Sequence, residues 1–241
     1  MTAKQQQEHV GSGLDPNAAI RSFFRDPTWR VKAGIGATFN ACSLLLLVLN
    51  PMLLPLSVLL WSLVCGYMLK VIRVKIKDPD APLPAWNEWV DLLISGLTWF
   101  AIYTGAVVLV MSVLTVSMIF GAIQGSIYAT DPRFVAWAVT TLTLVSITWL
   151  AVALFTTFVQ ANFAEEERTF AAFAVRKVMR MFKQHCGTMV QTWLLAVGIT
   201  AVAFVVPVVT VIGIAFLPMT LFIAGTICAT IVAQTWRAAQ K

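Results

Sequence analysis

Residues 66–96 read GYMLKVIRVKIKDPDAPLPAWNEWVDLLISG, and this stretch predicts the architecture of the whole chain. It leaves an apolar run, passes Lys70, Arg73, Lys75 and Lys77, turns through a loop rich in Pro and Asp, and re-enters a second apolar run. Trp86 and Trp89 mark the point of return. This order is typical of a chain that leaves a membrane, follows its surface and goes back in, because basic residues collect on the cytoplasmic side and Trp at the interface.

The composition of the 241-residue chain excludes an ordinary soluble domain. Hydrophobic residues make up 59% and charged residues 12%, against about 25% charged residues in a typical soluble domain. Four charge-free runs each exceed the ~20 apolar residues that span a bilayer, and they cover 33–68, 92–130, 134–164 and 187–236. The chain is therefore predicted to be an all-α polytopic membrane protein. Its net charge of +6 is explained by orientation and anionic lipid rather than by nucleic acid.

The first apolar run is long enough for one kinked helix or for two helices broken at Asn50 and Pro51. The basic residues decide between these alternatives. With two helices, 16 of the 17 Lys and Arg residues fall on one side of the membrane and only Arg133 on the other, as the positive-inside rule requires. We therefore predict a transmembrane helix bundle with both termini cytoplasmic and six spans, at about 33–49, 53–72, 92–118, 134–160, 189–209 and 213–235.

Outside the spans, the sequence predicts a tail and a surface helix. Residues 1–17 are polar and lack the apolar core of a signal peptide, so they are expected to form a disordered tail before a single domain at 18–241. In the segment 165–186, a helical projection places apolar side chains on one side and basic side chains opposite. This pattern predicts an amphipathic helix on the cytoplasmic surface.

Two groups of residues are predicted to make contacts. The first is expected to touch anionic inner-leaflet lipid or a membrane protein partner, and it comprises Arg73, Lys75, Lys77, Trp86, Trp89, Arg176, Lys177, Arg180 and Lys183. The second is a repeat of small residues in the last span, Gly225, Ala229 and Ala233, which lets helices approach closely. Internal packing and docking onto a helix of another subunit both fit this repeat.

Three motifs carry a family resemblance. GYMLKVIR, the run Pro84-x-Trp86-x-x-Trp89-x-Asp91-Leu92 and the segment FAAFAVRKVMR together resemble the domain of unknown function 4013 family, over most of residues 27–236. Residues 87–88, Asn and Glu, depart from the family pattern, where more acid is expected. Members are small prokaryotic integral membrane proteins. The resemblance implies six helices in a prokaryotic inner or internal membrane, such as a thylakoid, and supplies no activity and no catalytic residue.

The sequence lacks the residues that common membrane chemistries need. The four charge-free runs contain no Asp, Glu, Lys, Arg or His, which argues against proton or ion coupling. No HExxH or GxSxG motif occurs, so no catalytic residue is predicted. His185 and Cys186 have no second cluster to complete a metal site, and the four cysteines show no zinc or disulfide spacing. Neither a metal nor a cofactor is predicted.

Two functions remain open at this point. The preferred hypothesis is a non-enzymatic protein, an assembly factor, scaffold or accessory subunit that binds other membrane proteins through helix faces and surface segments. The alternative is a permease, or a permease subunit, for a neutral or lipid-like solute. Pro51, Pro207 and Pro218 favour the alternative, because interrupted helices line the solute sites of many transporters.

Overall fold

The computed structural model describes residues 14–128, 132–166 and 175–240. Every regular element in these ranges is a helix, so the predicted all-α class is confirmed. The α-helices are α1 (Pro16–Arg25), α2 (Trp29–Leu49), α3 (Leu54–Lys77), α4 (Trp89–Tyr128), α5 (Pro132–Glu166), α6 (Val175–Val209) and α7 (Leu217–Ala239). Short 3₁₀ helices at Pro51–Leu53 and Val211–Phe216 precede α3 and α7.

Six helical segments in the described residues are long and apolar enough to cross a membrane, so the predicted number of spans is confirmed and the chain is an integral membrane protein. They are Trp29–Leu49, Pro51–Lys77, Trp89–Gly121, Val135–Glu166, Arg176–Val209 and Gly213–Ala239. The first apolar run forms two helices rather than one. Asn50 is extended before Pro51, and its side-chain oxygen accepts a hydrogen bond from the N–H of Met52 at 2.9 Å, which ends α2 and starts the next helix.

The chain divides into two units, and unit 2 comprises Ala101–Thr157, from the later part of α4 and most of α5. Within it, Gly121 lies against the indole of Trp137, whose ring centroid is 6.0 Å from that of Phe120. Hydroxyl groups such as those of Thr140 and Ser146 donate to the carbonyl four residues earlier, at 2.8 Å. This local bonding satisfies polar side chains on an otherwise apolar helix.

Unit 1 comprises Met1–Phe100 and Phe158–Lys241, and α7 is its central helix. α7 packs against α1, α2, α3 and α6. Eleven of its residues are buried, including Phe222 and Trp236. The hydroxyl groups of Thr192 and Thr235 lie 2.7 Å apart and join α6 to α7. The centre of unit 1 therefore lies along the last helix in chain order.

The predicted small-residue repeat lies on this central helix. Ala229 and Ala233 are buried, with 5% and 0% of their surface exposed. A Cβ added to Gly225 would come within 3.1 Å of the terminal methyl group of Met68 on α3. These positions serve packing inside unit 1, because each small residue lets a neighbouring helix approach the α7 backbone.

Two glycines bring the backbones of α3 and α4 into direct contact. A Cβ added to Gly66 would overlap the carbonyl oxygen of Leu92, and one added to Gly96 would overlap that of Ser62. Any larger residue would push the two helices apart, so glycine is required at both positions. The crossing holds together the two ends of the stretch 66–96, and the loop 78–88 closes the hairpin between them.

Candidate functional site

Charged side chains meet at one end of unit 1, where α2 and α6 begin and where α3 and α7 end. The ammonium group of Lys75 at the end of α3 donates to the hydroxyl group of Ser22 on α1, at 2.6 Å. Glu165 near the end of α5 accepts hydrogen bonds from Lys177 of α6 and from Gln240, which directly follows α7. We call this end of unit 1 the basic end.

Asp26 is the first polar centre of the basic end, and only 4% of its surface is exposed. Its carboxylate accepts hydrogen bonds from the N–H and hydroxyl groups of Thr28, both at 2.7 Å, from the ammonium group of Lys32 at 2.8 Å and from the N–H of Leu83 at 2.9 Å. Burial by itself raises the pKa of Asp26, but the hydrogen bonds from Lys32 and Thr28 and the charge of Lys32 lower it to about 2. The ionised carboxylate therefore ties the start of α2 to the loop 78–88.

Two lysines hold the same loop by its carbonyl groups. Lys75 is 3% exposed, and its ammonium group donates to the carbonyls of Pro79 and Ala81 at 3.0 and 2.6 Å. Lys32 donates to the carbonyl of Leu83 at 2.6 Å. These carbonyls are available because the loop is not helical, so its backbone acceptors need partners from elsewhere. The lysines supply those partners and fix the path of the loop.

An aromatic cluster covers the inner side of the loop. The rings of Tyr67 and Trp86 stack with centroids 4.2 Å apart, and the Tyr67 hydroxyl group donates to the carbonyl of Pro84 at 3.1 Å. The indole N–H of Trp86 donates to the carbonyl of Lys32 at 3.2 Å. Trp86 is only 8% exposed, whereas Trp89, whose ring lies 5.6 Å away, is 41% exposed. The buried rings use both their apolar faces and their polar groups inside the fold.

Glu165 is the second polar centre of the basic end. Its carboxylate accepts hydrogen bonds from the indole N–H of Trp236 at 2.9 Å, from the amide of Gln240 at 2.8 Å and from the ammonium group of Lys177 at 3.2 Å. Lys177 also pairs with Glu166 at 2.7 Å. One carboxylate thus joins the end of α5 to the start of α6 and the end of α7.

The residues predicted to contact lipid or a partner occupy two different environments. Lys75 and Trp86 are buried, while Arg73 donates to the carbonyl of Ala164 at 3.0 Å and Lys177 binds Glu165 and Glu166. The others are exposed, and they are Lys77, Trp89, Arg176, Arg180 and Lys183. The contacts of both groups with lipid or a partner stay predictions.

The exposed basic residues of α6 form one face of a short helical segment. Arg176, Arg180 and Lys183 are exposed, whereas Val178 and Met181 on the other face are buried within unit 1. The backbone at His185 is not helical (φ −125°, ψ 29°), and this kink separates the segment from the apolar span that follows. The predicted amphipathic helix also includes residues 167–174, which lie outside the described residues.

A long apolar groove lies between α6 and α7, with a volume of about 670 Å³. Leu194, Gly198 and Val202 line it on α6, and Ile223 and Ala224 line it on α7. A Cβ added to Gly198 would meet no atom within 4 Å, so this glycine faces open space, unlike Gly66 and Gly96. Thr220 supplies the single polar side chain of the lining, and its hydroxyl group is already bonded to the carbonyls of Ala203 and Leu217.

Asp26 and Glu165 are not among the residues that the sequence analysis singled out. Neither was recognised as a centre of the basic end. A signal for Asp26 exists in the sequence, because it is the one acidic residue in the segment 18–32, which carries four basic residues. No comparable signal links Glu165 to Trp236, since the two are far apart in the chain and meet only after folding.

The helices and the basic end define a class, that of all-α integral membrane proteins with six apolar spans and charged groups gathered at the ends of the helices. Within this class, the chain belongs to the family described as "Protein of unknown function (DUF4013)", which matches residues 49–217. The match confirms the resemblance noted in the sequence. It begins just before α3 and ends at the start of α7. No curated protein and no solved structure matches the chain.

Proposed function

We propose that the protein is a non-enzymatic scaffold, assembly factor or accessory subunit that binds another membrane protein. The basic end faces the cytoplasm in this proposal, because Lys and Arg collect on that side of a membrane. The groove between α6 and α7 is the observation that carries the proposal, and its occupant is a transmembrane helix of the partner.

The dimensions of the groove favour a helix over a compact solute. It follows α6 from Leu194 to Pro207, which corresponds to roughly 20 Å at the rise of an α-helix. That distance is about two thirds of the hydrocarbon thickness of a bilayer. Gly198, Ala203 and Ala224 of the lining have small side chains or none. Small residues allow two membrane helices to approach closely, so a partner helix can lie near the backbones of α6 and α7.

The chemistry of the groove argues in the same direction. Its one polar side chain, Thr220, already donates to a carbonyl within the fold, so the lining offers little to a polar solute. An apolar helix requires only close contact and no new hydrogen bond. The groove is also compatible with the permease alternative if the transported solute is lipid-like.

Site-specific photo-crosslinking in native membranes tests the proposal. A photoreactive residue at Val202, which is 62% exposed in the groove, is compared with one at Leu45, which is 57% exposed on α2. We expect a discrete adduct with one other membrane protein from Val202, no such adduct from Leu45, and its loss when Gly198→Leu fills the groove. Mass spectrometry then identifies the partner.

Two outcomes contradict the proposal. Adducts with lipid alone from Val202 would favour the permease alternative, to be followed by transport assays in a deletion strain. Adducts of the same pattern from Val202 and Leu45, insensitive to Gly198→Leu, would show that the groove has no specific occupant.

A further inference from the structure

A polar pocket of about 710 Å³ lies at the basic end, between α1 and the loop 78–88. Arg21, Ser22 and Arg25 of α1 line one side, and Asp80 and the two residues after it line the other. The pocket is separate from the groove between α6 and α7, and its lining shares no residue with that groove.

The open charges of this pocket have both signs. Arg21 and Arg25 are exposed, lie one helical turn apart and form no hydrogen bond or ion pair with any residue that the structure describes. Across the described part of the chain, the carboxylate of Asp80 likewise has no hydrogen-bond donor or salt bridge. Asp26 also borders the pocket, but Lys32 and Thr28 occupy its carboxylate. Asp15 also lines the pocket, and its carboxylate accepts a hydrogen bond from the N–H of Ala18 at the start of α1. Two guanidinium groups and the carboxylate of Asp80 therefore remain without a hydrogen-bond partner among the described residues.

The position of the pocket corresponds to the level of lipid headgroups. The first span begins at Trp29, shortly after Arg25, and the second span ends at Lys77, shortly before Asp80. A pocket bounded by residues just outside two spans lies at the membrane–water interface.

α1 also presents an apolar edge beside this pocket. Ile20 and Phe24 are 38% and 47% exposed, although Ala19 and Phe23 on the adjacent face of the helix are buried. The ring of Phe24 lies 5.1 Å from that of Trp29, so the exposed edge continues into the first turn of the span. A helix with one face buried in the protein and an exposed edge of apolar and basic residues is suited to contact lipid at the interface.

We propose that the pocket binds the headgroup of a zwitterionic aminophospholipid of the phosphatidylethanolamine type. The phosphate lies between Arg21 and Arg25, the primary ammonium group donates to Asp80, and the acyl chains pass Ile20 and Phe24. Guanidinium groups bind phosphate through charge-assisted hydrogen bonds. An anionic headgroup without an ammonium group leaves Asp80 unpaired, and a trimethylammonium headgroup has no N–H to donate. This site does not depend on the proposed protein partner.

Native mass spectrometry of the purified, delipidated full-length protein tests the site, with phosphatidylethanolamine and phosphatidylcholine of identical acyl chains as probes. We expect tighter binding of phosphatidylethanolamine. Arg21→Gln combined with Arg25→Gln should weaken its binding by about tenfold or more, because a hydrogen bond to a charged group contributes at least about that factor. Asp80→Asn should remove the preference over phosphatidylcholine. The control, Arg30→Gln, changes an exposed arginine near the same membrane level that does not line the pocket, and it should retain the preference.

Three results would overturn the assignment. The first is equal binding of the two lipids by the wild-type protein. The second is a greater loss of phosphatidylglycerol than of phosphatidylethanolamine in the Arg21/Arg25 variant, which would mark an anionic-lipid site. The third is binding of soluble phosphoethanolamine as tight as that of the lipid, which would identify a free phosphoester as the ligand. Asp80→Asn changes an exposed loop residue, so it keeps the test informative if the arginine variant fails to fold.

Discussion

The end of α3 with the loop 78–88 that follows it, and the first turns of α6, carry the same sequence signature of basic residues beside apolar ones at the edge of a span. Basic and aromatic side chains of the first region are buried, whereas basic side chains of the second are exposed. At the loop, Lys75 and Trp86 are buried and bonded to the backbone. On α6, Arg180 and Lys183 are exposed. The difference follows from the backbone acceptors. Loop carbonyls are free to accept hydrogen bonds from cations, whereas helix carbonyls are already bonded four residues on.

The comparison separates residues that hold the fold from residues that are available to another molecule. The loop side depends on a buried ion pair, Lys32–Asp26, on the hydrogen bonds of Lys75 and on a glycine crossing, so changes there should reduce stability. The exposed α6 residues Arg180 and Lys183 take part in none of these, so changing them should alter only contacts outside the chain.

Gly66→Leu should have the largest effect, because its side chain would overlap the carbonyl oxygen of Leu92 and separate α3 from α4. We expect a loss of more than about 4 kcal/mol, the range reached when a buried backbone contact is broken. Thermal unfolding in detergent and the amount of protein in the membrane fraction measure this effect. Gly34→Leu is the control, because a Cβ at Gly34 would meet nothing within 4 Å. Equal losses for both variants would mean that the crossing does not hold the hairpin.

Asp26→Asn should have the next largest effect at neutral pH, about 3 kcal/mol, because it leaves the ammonium group of Lys32 without its buried partner. The folded pKa of Asp26 is about 2, below its ordinary value of 3.8. The ionised group therefore stabilises the folded protein fully above pH 4, and this contribution is lost as the pH falls through 2. The difference between the two pKa values corresponds to a contribution of about 2 kcal/mol to the free energy of unfolding.

The pH dependence of this effect is best measured as a difference between two proteins. The melting temperatures of wild type and Asp26→Asn should converge as the pH falls from 5 to 2, since protonation removes in the wild type the charge that the variant lacks. Asp91→Asn changes an exposed acidic residue and should show no such convergence. A constant difference across this pH range would show that the charge of Asp26 does not stabilise the loop.

Arg180→Gln combined with Lys183→Gln should have the smallest effect on stability, within about 0.5 kcal/mol, because both side chains are exposed. The variant should instead lose part of the stabilisation gained when anionic lipid is added to neutral nanodiscs, about 1 kcal/mol for each charge removed. Melting temperatures in the two lipid compositions give this quantity. A large loss of stability in neutral lipid would show that Arg180 and Lys183 stabilise the fold, as the buried residues around the loop 78–88 do.

The features that sequence analysis predicted correctly depend on local chemistry. The six apolar helices follow from the length of charge-free runs, and the break after α2 follows from Asn50 and Pro51, which act within one turn. The family could be identified because its motifs also lie within short segments, such as the tryptophans at 86 and 89.

The features that the sequence did not reveal depend on contacts between distant segments. Asp26 meets Leu83, and Glu165 meets Trp236, only after several helices have packed together. The burial of Lys75 could not be predicted because a lysine at the end of a span is normally solvated. Only folding brings three acceptors to it, two carbonyls of the loop and the Ser22 hydroxyl group of α1. No local pattern distinguishes this lysine from Lys183.

The central position of α7 has a consequence for biosynthesis. The helices that pack against it, α1, α2, α3 and α6, all precede it in the chain, so they are made and inserted before their common neighbour exists. Until α7 leaves the ribosome, Tyr67 lacks part of the surface that buries it, because its ring packs against Phe222 of α7. Chains interrupted before α7 should therefore remain incompletely assembled in the membrane and become substrates for proteolytic quality control.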